Sequence, residues 1–60
     1  MLGILQAEVE NEWTVDPVVE RQAVMIALKK AEVTGRTGDF RITTSVNGMV
    51  EVVYVKVYHG

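Results

Sequence analysis

The chain has no cysteine, a single proline and no apolar run near the roughly 18 residues that a membrane-spanning helix needs. Without cysteine there is no disulfide framework, thiol nucleophile or cysteine-based zinc site, a usage that fits a reducing compartment. No basic stretch precedes an apolar one, so no secretory signal is expected and the expected location is cytoplasmic. Histidine occurs once, as His59, with no carboxylate beside it in sequence. No catalytic triad, paired catalytic carboxylates or metal-ligand spacing stands out. A domain of this length buries only about 60% of the surface its unfolded chain exposes, which leaves little material for a shaped cleft beside a core. An enzyme is therefore not expected, and no catalytic residue, metal or cofactor is assigned.

What the chain has in quantity is valine, at 12 of 60 positions. β-Branched side chains favour a pleated, packed surface, so a sheet is expected. No repeat, low-complexity tract or linker composition interrupts residues 1–60, which are read as one domain. The formal charge is −2, but it is divided unevenly. Residues 1–20 hold Glu8, Glu10, Glu12, Asp16 and Glu20 with no base, while all six bases and the other three acids follow. That polarity points to opposite faces or to complementary ends in an assembly.

From Leu5 to Val15 the odd positions are apolar except at Asn11, and the even ones are polar. This is the period of a half-buried strand, with a bend expected at Glu10-Asn11-Glu12. Leu2, Leu5, Val9 and Trp13 also fall near helical spacing, which is the competing reading. Asp16-Pro17 marks a helix start, because the Asp carboxylate caps open N–H groups and proline lacks only a donor that the first turn does not need. The helix is expected to run to Thr34, with Gly35 as its left-handed cap and Lys29 and Lys30 near its negative end. Its apolar arc, from Val19 to Val33, is wider than one sheet needs, and Ala23, Ala27 and Ala31 form a small-residue seam within it.

Asn47-Gly48 between two β-rich runs is the preferred sequence of a two-residue hairpin turn. The implied register pairs Val46 with Met49 and continues to Asp39 opposite Lys56. One face then carries Phe40, Ile42, Val46, Met49, Val53, Val55 and Val57 and is read as the core. The other carries Val50, Val52, Tyr54 and Tyr58, too apolar for a freely hydrated surface. An α+β domain of order β-α-β-β follows, with the helix on a three-stranded sheet and the last strand between the other two.

This element order resembles that of the dodecins, small flavin-storing proteins built from a strand, a helix and a long hairpin. The resemblance implies an assembly with a ligand cavity between subunits. In dodecins the flavin-stacking tryptophan follows the helix, whereas Trp13 precedes it here, so no dodecin residue is transferred to this chain.

The residues singled out for binding are Glu8, Glu10 and Glu12, which project from one strand face at roughly 6.6 to 6.8 Å intervals, and Trp13 beside them. Val50, Val52, Tyr54 and Tyr58, with Ala23 and Ala27 from the helix seam, are the expected oligomer interface. Arg36, in a Gly-Arg-Thr-Gly loop, and Arg41 are a weak anion-binding candidate, because this loop leaves a helix C-terminus, where the dipole repels phosphate. The expected function is a non-enzymatic homo-oligomer that binds another protein, in the manner of small phage or mobile-element regulators and inhibitors. The alternatives are a dodecin-like flavin store and a β-ribbon nucleic-acid binder using scattered bases with Tyr54 or Tyr58. The net acidity disfavours the last.

Overall fold

A computed structural model describes residues 4–10 and 16–60 of the chain. The elements are β1 (Leu5–Val9), α1 (Pro17–Thr34), β2 (Gly38–Val46) and β3 (Met49–His59). Strand order is β1-β3-β2, and β3 is antiparallel to both neighbours, so β1 and β2 run the same way on either side of it. The class is α+β, with one helix packed on a three-stranded antiparallel sheet. No helix among the described residues is long and apolar enough to cross a membrane.

The helix begins where its capping chemistry dictates. Asp16 Oδ1 accepts the Val18 N–H at 2.8 Å, and the Asp16 carbonyl accepts the Glu20 N–H at 2.9 Å as the first helical bond. Gly35 closes the helix at φ 69°, its N–H bonded to the Ala31 carbonyl at 2.8 Å. Lys29 and Lys30 sit a turn earlier than dipole complementarity prefers; the last turn contains Glu32 and no base. At the hairpin, Asn47 and Gly48 both have positive φ, 52° and 80°, as a two-residue turn of this handedness requires. The β2–β3 register is the expected one throughout, from Val46 opposite Met49 to Asp39 opposite Lys56.

β1 alternates as read from the sequence, with Leu5, Ala7 and Val9 half-buried and Gln6 and Glu8 exposed. Leu5 to Val9 pairs with His59 to Val55, so the strand reading holds over the helical one there. The expected continuation to Val15, including the bend at Asn11, lies outside the described residues.

The core lies between the helix and one sheet face. Val19, Ala23, Ala27 and Ala31 meet Ile42, Val53, Val55 and Val57, all buried. Each fully buried valine contributes about 1.5 to 3 kcal/mol of transfer free energy. The alanine seam lets the helix approach the sheet backbone closely, while Val24, Ile26 and Leu28 pack along its flanks. Val33 is exposed, so the buried part of the apolar arc is narrower than its sequence span. Met49, expected on the core face, is exposed at the hairpin tip. Thr44 takes a core position that apolarity alone does not assign: it is buried, and its hydroxyl donates to the Glu51 carbonyl at 3.1 Å. The bond removes the cost of burying that polar group.

Candidate functional site

The helix covers one face of the sheet, and no described element covers the other. Alternation decides what this outer face displays, since each strand sends every second side chain to it. β1 contributes Gln6 and Glu8, with Glu10 just past its end. β3 contributes Val50, Val52, Tyr54, Lys56 and Tyr58, and β2 contributes Asp39, Arg41, Thr43 and Ser45. Register then fixes the neighbours: Gln6 is opposite Tyr58, Lys56 stands between Glu8 and Asp39, and Arg41 is opposite Tyr54. The face is therefore divided along its length. Its β1 end is charged and mostly acidic, and its hairpin end is apolar and hydroxylic, with Val50, Val52, Thr43 and Ser45.

Within the charged half, Tyr58 donates its hydroxyl to Glu8 Oε1 at 3.1 Å, the diagonal contact that a two-residue offset between neighbouring strands allows. The bond to the carboxylate, then partial desolvation and the Glu8 charge, raise the Tyr58 pKa above its ordinary value. Glu10 is held by its backbone N–H to the Tyr54 carbonyl at 2.8 Å. Its side chain is within hydrogen-bonding reach of the Asp39 carboxyl across β3, which favours the protonated form of Glu10. That contact is the main cause of a raised Glu10 pKa, followed by desolvation and the Asp39 charge, with Lys56 acting in the opposite sense. The acidic row is thus tied into the sheet from both sides. Its members are Glu8, Glu10 and Asp39; Asp39 joins it only through the pairing of β2 with β3, a long-range relation that local periodicity does not carry.

Val50 is 68% and Tyr54 50% exposed, while Val52 and Tyr58 are half-buried on the same face. Ala23 and Ala27 lie elsewhere: both are 0% exposed, and their seam is occupied by the chain's own sheet instead of a surface open to a second copy. Arg41 is exposed on the outer face, and Arg36 is exposed in the connector between α1 and β2. Glu12 and Trp13 lie outside the described residues.

A second feature has no local signature in the sequence. A groove of about 690 Å³ opens at the C-terminal end of the helix, with Leu5, Leu28 and Ala31 as apolar lining and Glu32, Thr37 and His59 also on its walls. It brings together residues from both ends of the chain, and only the β1–β3 pairing could have disclosed it. Among the described residues, no group of three or more His, Asp or Glu side chains is placed to hold a metal ion.

No family model, curated protein or solved structure matches the chain.

Proposed function

We propose that the protein is a non-enzymatic, homo-oligomeric protein-binding module that presents the outer face of its sheet to a partner, in the manner of a small cytoplasmic regulator or inhibitor of phage or mobile-element type. The observation that carries this reading is the uncovered outer face, where exposed Val50 and Tyr54 lie beside an acidic row. An antiparallel sheet with one solvated face usually alternates apolar inward with polar outward. Apolar residues concentrated in one half of the outward face are the pattern of a contact surface. The acidic half supplies orientation and selectivity toward a basic partner surface, and the apolar half supplies buried area.

The test is capture of a partner by three forms of the protein. Reversal of Glu8 and Glu10 to lysine abolishes capture if the acidic half is used for recognition, because reversal adds repulsion as well as removing attraction. Tyr54→Ala abolishes capture if the apolar half provides the anchor. Undiminished capture by both folded variants would show that the partner uses another surface. The flavin-storing alternative is favoured only by element order, and a purified protein without visible absorbance would exclude it as a loaded store.

A further inference from the structure

β2 is an edge strand of nine residues with neither proline nor lysine, and its ladder to β3 is unbroken. Because the Asn47-Gly48 turn has two residues, Val46 and Met49 form the closing hydrogen-bonded pair. Alternation then directs the backbone groups of Gly38, Phe40, Ile42, Thr44 and Val46 toward β3. The other side of β3 confirms this parity: the Tyr54 carbonyl accepts from Glu10, and the Gly60 N–H donates to Ile4. Asp39, Arg41, Thr43 and Ser45 therefore turn their N–H and C=O groups away from the sheet, and no described element covers them. Edges of this length are ordinarily blunted by proline, lysine, a bulge or a covering loop.

We propose that this edge pairs with itself: β2 of one copy lies antiparallel to β2 of a second about a two-fold axis at Ile42, giving a continuous six-stranded sheet. The proposal rests on the homo-oligomer reading and names the surface used. Centres from Phe40 to Thr44 place at least two outward residues opposite outward ones; those at Thr43 and Thr44 keep three and two such residue pairs. Centring on Arg41 sets two guanidinium groups directly opposite and is disfavoured by repulsion. Centring on Phe40 makes two Asp39–Arg41 ion pairs but keeps only two of the hydrogen-bonded residue pairs within β2. Centring on Ile42 keeps four, with Asp39 opposite the second copy's Ser45 and Arg41 opposite its Thr43, each twice by symmetry. Every such pair exchanges two backbone bonds, and an exposed ion pair is worth no more than one of them, so the longer ladder wins.

The arrangement is sterically open. Both helices lie on the same side, and the two β3 strands are three strand spacings apart, about 14 Å at about 4.8 Å each, which exceeds a helix diameter of about 10 to 12 Å. On the helix side, Phe40 and Val46, half-buried at the edge, gain cover from the second copy. On the other side, two outer faces merge into one surface twice as wide.

The experiment combines mass with amide exchange over a dilution series. In the dimer, the amides of Asp39, Arg41, Thr43 and Ser45 exchange more slowly as concentration rises, while those of Phe40, Ile42 and Thr44 do not depend on it. A dimer in which the four edge amides exchange at the same rate at every concentration overturns the proposal and leaves the oligomer reading standing; a monomer throughout overturns both. Charge variants test the register. Thr43 is exposed, so the subunit tolerates Thr43→Lys and Thr43→Glu. Thr43→Lys meets the second copy's Arg41 and weakens association at least about threefold, whereas Thr43→Glu preserves or tightens it. Equal effects of the two variants would overturn the register centred on Ile42.

Discussion

Individual side chains decide where the backbone turns and how the outer face responds to pH. Gly48, at φ 80°, has nothing within 4 Å of where a Cβ would lie, so any penalty for a side chain there comes from the backbone alone. Gly48→Val is expected to destabilise the protein by about 1 kcal/mol or more in thermal melts, whereas Asn47→Gly is mild, because glycine accepts the left-handed region at either turn position. The Tyr58 to Glu8 bond has an alkaline signature. Its folded pKa is raised above the ordinary 10.0, so its contribution is fully present below that value and is lost as pH rises through the folded pKa. Tyr58→Phe is expected to remove this alkaline limb from a stability–pH profile. Glu10 has the same sign on the acid side: its pKa is raised above 4.5, so its contribution is present at low pH and declines as pH rises through the folded value. Glu10→Gln is expected to flatten that slope.

Among the elements, the helix shows most clearly how a local pattern acquires a tertiary use. Ala23, Ala27 and Ala31 recur every four residues, and such a seam admits any close neighbour; the structure gives it the chain's own sheet. Ala27→Leu therefore has no room to expand and is expected to cost about 1 to 3 kcal/mol by overpacking, read as a lowered melting temperature. Had the seam served a second copy instead, the same change would weaken association without lowering the stability of the isolated subunit. The helix limits and the hairpin register were legible because each rests on contacts within a few residues: Asp16 with Val18, Gly35 with Ala31, and Val46 with Met49 across the turn. Thr44 was not assigned to the core because a hydroxyl suits a buried site only with a partner, and the Glu51 carbonyl comes with the folded hairpin.

The molecule as a whole is a thin slab, 40 × 21 × 15 Å, with its helix on one side only. Its long axis is close to the length of β3, whose 11 residues span about 37 Å at about 3.4 Å each. A slab of this kind has little interior for its surface, and association is a common remedy in so short a chain. At micromolar concentration, light scattering is expected to give at least twice the 6.7 kDa subunit mass, and a 6.7 kDa species at high concentration would refute this. The acidic row belongs to the same scale. Glu8 and Glu10 were legible as an alternating series, but their link to Asp39 depends on β2 and β1 flanking the same central strand.

The amino-acid sequence by itself determined the element order, both helix caps, the hairpin turn and the alternation that separates the two sheet faces. These follow from interactions over a few residues, which neighbouring side chains and backbone angles settle locally. Only the tertiary structure decided that the alanine seam is covered within the subunit, that Asp39 comes within hydrogen-bonding reach of Glu10, and that Leu5 and His59 line one groove with Leu28. The physical reason is the same in each case: these relations join residues far apart in the chain, and they arise only when packing the apolar faces together has fixed which strand lies beside which.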